Sequence, residues 1–315
     1  MSNIKRVKSS IPFVGLHNHT TFSIFDAIGY PKDHMDFVYE NGMNALAITD
    51  HGNMNGLVYQ YLHAKKMNED GKQFKPIYGI EAYFIDSIKD WKKEYEESKT
   101  KKKKESVELT VEDEEETKKY TKNVLNRRAH LILLAQNEIG LKNIFKMVSE
   151  SYKSENFYRY PRIDFDMLRK YGEGVICTSA CMGGPLAKEY WKTRDKGEDE
   201  TLRSVQNLAA QFFEIFGDRF YGEVQWNSIP EQHAINKHVI QACQNLGIEV
   251  VSTADAHYPR PELFKSRVMY NKLGWMGNKK DYADDPIPET RADLKYELYP
   301  KNGDQMWEAY KSYSK

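Results

Sequence analysis

The residues best suited to chemistry here are histidines, carboxylates and one cysteine, and they gather where short apolar runs end. The run Ile11–Leu16 leads directly into His17-Asn18-His19. On extended backbone alternate side chains share a face, so both imidazoles point the same way and make half of a metal site. A second run ends in Thr49-Asp50-His51-Gly52, which adds a carboxylate and a third imidazole. A third run embeds Glu81 in Gly79-Ile80-Glu81-Ala82-Tyr83, where an ionised carboxylate is costly unless a cation or a donor meets it. A metal ion meets that demand, and so does a core arginine. Two more runs end in Thr178-Ser179-Ala180-Cys181 and Ala254-Asp255-Ala256-His257, the latter again placing both ligating groups on one face. Singly, each has a plain structural reading: an inert core cysteine, a helix-capping aspartate, a hydrogen-bonded histidine. Together they deliver metal-ligand types to several strand ends. His130 fits less neatly, because it precedes its apolar run instead of following it.

Positioning these groups requires strands, and seven short runs supply candidates: Ile11–Leu16, Asn44–Thr49, Pro76–Phe84, His130–Ala135, Gly174–Thr178, Arg219–Gln225 and Ile248–Thr253. Most are continuous in hydrophobicity, as buried parallel strands are. Between them lie segments of helical spacing, among them Gly56–Asn68, Gly140–Tyr152, Thr201–Phe216 and Glu231–Leu246, the last followed by the stop residue Gly247. Alternating strand and helix imply βαβ units with right-handed crossovers, hence an α/β fold, and seven strands over this length favour a barrel. Barrel active sites form at the C-terminal mouth of the strands, where most of the candidate ligands fall.

The chain has 315 residues with an apolar fraction of 40%, enough for a full-sized core and incompatible with a disordered or collagen-like chain. Its 46 basic and 46 acidic side chains cancel, so contact with nucleic acid would have to come from a local basic patch. Three cysteines, Cys177, Cys181 and Cys243, argue against a disulfide framework and for a reducing compartment. The apolar run that precedes His17 is too short for a signal peptide, and no stretch is long enough to span a bilayer. The expected setting is therefore cytoplasmic, with no membrane partner. About residues 89–122, Lys101-Lys102-Lys103-Lys104 is followed by Glu112-Asp113-Glu114-Glu115-Glu116, which reads as a solvated insertion, disordered or a charged helical hairpin. Prolines scattered after His257 suggest a division between residues 1–260 and a C-terminal extension, 261–315.

Read in order, these residues resemble the PHP (polymerase and histidinol phosphatase) domain, most closely the version at the N-terminus of bacterial DNA polymerase III α subunits. The resemblance rests on Leu16-His17-Asn18-His19-Thr20 with Phe22-Ser23 and Asp26, on Ile48 to Gly52, Gly79 to Tyr83, Ala129 to Ala135, Phe220 to Gln225, and Asp255-Ala256-His257-Tyr258. It covers about Pro12 to Tyr258, with a weaker echo at Glu297-Leu298-Tyr299 and Met306-Trp307. It implies a distorted (β/α)7 barrel holding up to three divalent metal ions on His17, His19, Asp26, His51, Glu81, His130, Cys181, Asp255 and His257. Asp50 is expected behind an imidazole, orienting it. Ala180 departs from relatives that often carry Gly before the Cys, and Ala254 from those with Asn before the Asp.

The mixed donor set suits zinc, with manganese or iron as alternatives. The implied reaction is phosphoester hydrolysis, with Glu81, Asp255 and His257 expected to carry catalysis. In polymerase relatives with an intact site it is 3′→5′ exonuclease action, so the expected partners are a DNA 3′ end and polymerase domains or other replication proteins. Arg127, Arg128, Arg162 and Arg260 are candidates for phosphate or strand contact. No palm-type trio of aspartates is present, since Asp281, Asp284 and Asp285 sit in polar, proline-flanked sequence, so polymerisation by this chain alone is not expected. The competing readings are a small-molecule phosphatase of the histidinol-phosphate type and a metal-stabilised scaffold without activity. The aromatic tail, Trp275, Trp307, Tyr310 and Tyr313, is expected to dock on a polymerase segment or, alternatively, to pack locally on the barrel.

Overall fold

Six of the seven apolar runs become strands, and the reason is visible along each of them. All four residues of β1 (Ala45–Ile48) are buried, as expected of a strand covered on both faces. Helix α8 (Pro230–Leu246) starts with Pro at its first turn and stops where Gly247 adopts φ 68°, a left-handed conformation that glycine takes at no steric cost. The computed structural model describes residues 6–105, 119, 122–275 and 286–313. The acidic run Glu112–Glu116, the aspartates Asp281, Asp284 and Asp285, and the side chains of Lys101–Lys104 and Trp275 lie outside the described residues.

The strands form a curled ring. β1 runs parallel to the first half of β2 (Lys75–Phe84), whose second half pairs with β3 (Ala129–Ala135). The order continues through β6 (Val175–Thr178), β7 (Phe220–Gln225) and β8 (Val250–Thr253). The first apolar run is a correction: Ile11–Leu16 is not a regular strand. Pairing shifts to residues 15–19, which bridge Leu46 on one side and Ala256 on the other. Ala47 N–H donates to Gly15 O at 2.8 Å, and His19 N–H donates to Ala256 O at 2.7 Å, so this short segment joins the two ends of the sheet. The result is a distorted barrel of seven extended segments.

β3 supplies a second correction, for it runs antiparallel to both β2 and β6, against the all-parallel expectation. The connection from β2 leaves and returns at the same end of the barrel, so no crossover intervenes. Its first part is α3 (Ile88–Glu105), a helix whose start is anchored: Trp91 is buried and donates its Nε1–H to Val124 O at 2.8 Å. Because β3 is reversed, its beginning lies at the rim where its neighbours end. His130 therefore joins that rim although it precedes its run.

Along β3 the side chains alternate between two cores. Leu131 and Leu133 face outward onto α4 (Glu138–Ser151) and belong to the main cluster with Phe212, Phe216 and Phe220. Ile132 and Leu134 face inward with Ala47 and Ala180, joined by Leu16, Ile77 and Ile176, and fill the barrel interior. A hairpin that the sequence did not announce, β4 (Phe157–Tyr158) and β5 (Tyr160–Ile163), extends β2 at the rim. Across the expected boundary near residue 260, Phe264, Leu298 and Tyr299 pack in one cluster with Tyr258, and His257 N–H donates to Leu298 O at 2.7 Å. In α10 (Gly303–Tyr313), Tyr310 stands edge-on to Trp226 at 4.9 Å and Tyr313 lies over His233 at 6.5 Å, the local packing alternative, while Trp307 stays half exposed.

Arg162 is corrected as a phosphate contact. It is fully buried on β5, its guanidinium 4.3 Å over Trp91 and its N–H groups donating to the carbonyls of Leu125, Arg127, Tyr158 and Tyr160. It knits the hairpin to the strand that follows the insertion. Arg162→Ala leaves four half-buried carbonyls without their donor and opens a cavity against Trp91, and should cost on the order of 3 kcal/mol, read as a lower urea midpoint; a loss under about 1 kcal/mol would show the network to be dispensable.

Candidate metal centre

Glu81 sits at the centre of the rim. It is fully buried on β2, in the part of that strand that pairs with β3, and its register neighbour there is the inward-facing Ile132. Three sets of side chains surround it, and they share members. His17, His19 and Asp255 form one set, with His17 Nε2 and His19 Nε2 3.0 Å apart and 3.1 and 3.3 Å from Asp255 Oδ1. Glu81 approaches the same imidazoles at 3.4 and 3.6 Å. On the opposite side, His130 Nδ1 is 3.0 Å from Glu81 Oε1, and Cys181 Sγ lies 3.8 Å from that nitrogen. The third set gathers around Asp26, whose Oδ2 is 2.9 Å from His51 Nε2 and 3.3 Å from His257 Nε2. His51 links this set back to Glu81 through its other nitrogen. All nine sequence-predicted ligand residues are thus brought to one rim.

The donor set fits divalent cations on two counts. Tetrahedral bonds of about 2.0–2.1 Å put ligand atoms roughly 3.4 Å apart, and the separations here bracket that value. Among the described residues, Asp255 Oδ1 is buried without a hydrogen-bond partner, and His51 Nδ1 and Glu81 Oε2 are buried facing each other with no other partner.

The outer contacts decide which imidazole nitrogen is free. His17 Nδ1–H donates to Glu223 at 2.7 Å, and His257 Nδ1–H donates to the carbonyl of Asp255 at 2.7 Å. His19 Nδ1–H donates to Ser23 Oγ at 3.0 Å. Each of these rings therefore turns an Nε2 lone pair into the cluster. Asp50, expected to orient an imidazole itself, acts one step further out: it accepts from Ser23 Oγ at 2.7 Å and from the Thr20 N–H at 2.6 Å. Asp26 is held from the C-terminal extension, where Arg267 Nε–H donates to its carbonyl at 2.8 Å and Asn271 donates to its Oδ1 at 2.9 Å. Both belong to α9 (Phe264–Trp275).

Electrostatics follow from packing so much charge together. Burial, then the neighbouring His51 and His257 imidazoles, pull His19 down to about 3, so it is a neutral ligand at pH 7. Burial opposes the charge on His51, yet Glu81 and Asp26 win and lift it to about 10. Burial raises the Cys181 thiol well above its ordinary value, and the Asp255 and Glu81 carboxylates add to this. Burial likewise opposes the charge on His17, yet the Asp255 and Glu223 carboxylates lift it well above its ordinary value. The metal-free cluster thus holds protons at His17, His51 and Cys181, which a divalent cation would displace.

Backbone strain marks the same places. Phe25 beside Asp26, Ala180 beside Cys181, and Asp255 itself have φ of 62°, 57° and 49°. The left-handed region costs a residue with a side chain about 1–2 kcal/mol, which explains why Gly suits the position of Ala180.

Of the candidate arginines, Arg127 makes a two-pronged pair with Glu94 at 2.6 and 2.7 Å, and Arg260 pairs with Glu40 at 2.7 Å. Arg128 stacks on Tyr160 and Tyr83, and the Tyr83 ring borders His51 and His130. Sequence reasoning missed Glu223, Ser23, Arg267 and Asn271. Glu223 carries the same signal as Glu81, a carboxylate inside a buried run, and could have been found. Nothing local distinguishes Arg267 or Asn271.

The family model for the PHP domain matches residues 15–227. The chain is 32% identical over 299 residues to the DNA polymerase III subunit alpha of Borreliella burgdorferi, covering 95% of this chain and 22% of that protein. It is 34% identical over 250 residues to the same subunit of Aquifex aeolicus, covering 79% and 18%. It thus spans about a fifth of the length of these curated relatives. A solved structure from Bifidobacterium adolescentis, described as a metal-dependent phosphoesterase, aligns over 96% of this chain and 97% of its own, with 12% identity and a TM-score of 0.42.

Glu223→Gln keeps every ligand but removes the charge behind His17. It should weaken metal affinity roughly 10- to 100-fold, measured by competition with a chelating dye, and unchanged affinity would show that Glu223 does not tune the ligand.

Proposed function

The chain belongs to the PHP domain family, and we propose that it is a divalent-metal-dependent phosphoesterase acting on the 3′ end of a DNA strand. The observation that carries this reading is the gathering of competent side chains at all nine positions around Glu81, among them the three close sets His17-His19-Asp255, His19-His51-His257 and His51-Glu81-His130. The mixed nitrogen, oxygen and sulfur donors favour zinc, with manganese or iron as alternatives at the oxygen-rich group. His17, His19, Glu81 and Asp255 would hold one ion, Glu81, His130 and Cys181 a second, and Asp26, His51 and His257 a third. Bound ions supply a hydroxide at neutral pH and neutralise charge on the phosphoryl oxygens.

The protein's own residues do the rest. The inward apolar cluster of Ile132, Leu134, Ala47 and Ala180 excludes water beneath the site. His17, His19 and Glu81 are sealed, whereas the side chains of Asp26 and His130 keep 32% and 24% of their surface, so substrate approaches from their side. Arg267 and Asn271 fix one oxygen of Asp26 and leave the other turned to His51 and His257. The likeness to α subunits supports a place beside polymerase domains or other replication proteins, with removal of misincorporated 3′ nucleotides as the task. Among the described residues no helix is long and apolar enough to cross a membrane.

The test is digestion of a 5′-labelled single-stranded oligonucleotide by zinc- or manganese-loaded protein, beside Asp255→Ala prepared identically. Stepwise shortening from the 3′ end is expected, slowed at least about 100-fold in the variant. An intact strand with cleavage of a phosphate monoester would replace this reading by a small-molecule phosphatase. Metal-dependent folding with no cleavage of either substrate would replace it by a scaffold.

A further inference from the structure

A cleft of about 1000 Å³ opens beside the His130 and Cys181 edge of the cluster, and none of the nine ligand residues lines it. Its walls carry several charges, most of them matched. Glu189 pairs with Lys192 at 3.3 Å, and Asp166 pairs with Arg169 at 3.2 Å. Arg128 and Lys188 line the same cleft and stand apart from these pairs.

Among the described residues, Arg128 is held in place without an acid. Its guanidinium lies 3.8 Å over the Tyr160 ring and 5.5 Å from the centre of Tyr83, and its Nη1–H donates to the Asn126 carbonyl at 2.9 Å. Its Nε is buried with no hydrogen-bond partner. Tyr83 in turn meets His130 at 5.7 Å and stacks on His51 at 6.1 Å, so this cation is fixed against two ligands of the cluster. Lys188 sits in α6 (Pro185–Thr193), the helix that follows Cys181. Partial burial, and after it the charge of Arg128, pull its proton affinity down to about 8. Two like charges lining one cleft repel, and an anion between them removes the repulsion.

We propose that Arg128 and Lys188 form a phosphate subsite that grips a backbone phosphate of the substrate other than the one being cleaved. The scissile phosphate belongs to the metal cluster, while this pair lies in a separate cleft beside it. A substrate must therefore continue past the cleaved bond to reach both, as a polynucleotide strand does and a phosphate monoester does not. The inference rests on the phosphodiester reading above and narrows its substrate to a strand.

The experiment measures binding of a dye-labelled phosphorothioate oligothymidylate, which resists cleavage, to the metal-loaded chain by fluorescence anisotropy across a salt series. Arg128→Ala and Lys188→Ala should each weaken binding roughly 10-fold and flatten the slope of log affinity against log salt by about 0.7, with Arg128→Lys partly restoring both. Lys192→Ala removes a charge of the same sign from the same cleft, but a paired one, and should change both quantities much less. Unchanged affinity in the first two variants, or an equal loss in Lys192→Ala, would overturn the subsite. Cleavage of an unmodified strand is measured separately: a wild-type chain that cleaves nothing while Arg128→Ala and Lys188→Ala lose binding contradicts the phosphoesterase reading and upholds the subsite.

Discussion

A carboxylate sealed inside a barrel has to be neutralised, and most of what surrounds Glu81 answers that requirement. Its two oxygens meet four imidazoles from three separate segments: His17 and His19 from the joining segment, His51 after β1, and His130 on β3. In water such contacts are weak, but in a dry rim an unpaired charge is severely penalised. The imidazoles are themselves positive when protonated, so further carboxylates at Asp26 and Asp255 gather around them. Each layer satisfies the one inside it, ending in neutral groups such as Ser23 and Thr20.

The barrel makes this affordable by separating two tasks along each strand. Outward residues of β3 join the large core shared with the helices, while inward residues make a small apolar floor beneath the cluster. Stability and chemistry are thereby drawn from opposite faces of the same backbone. Of the five non-glycine residues with left-handed backbone among the described residues, Phe25, Ala180 and Asp255 fall where the chain must turn sharply to aim a ligand.

What the sequence disclosed and what it concealed follow from the range of each interaction. His17, His19, Asp255 and His257 were legible because alternation along extended backbone is local, and Glu81 because a charge in an apolar run is anomalous on its face. Strand direction is not local, so the reversal of β3 was hidden and His130 had no evident place. Asp26 shows the same limit from another side: its ligand role came through resemblance, while its partners Arg267 and Asn271 lie more than two hundred residues away. Arg162 was misread because an arginine held by four backbone carbonyls has the same sequence appearance as one on the surface. Asp50 was placed in the right neighbourhood and one contact too close, since only coordinates reveal that Ser23 stands between.

The seam between residues 15–19 and Ala256 sets the order in which this protein can be completed during synthesis. His17 and His19 emerge first from the ribosome, but their backbone partner and the ligands Asp255 and His257 follow only after nearly the whole barrel. The hold on Asp26 arrives later still, with α9. A nascent chain therefore carries a recognisable motif while the barrel is being made, without owning a finished site. Closing the ring and completing the charge balance are one event, so no partly made barrel holds the full ligand set.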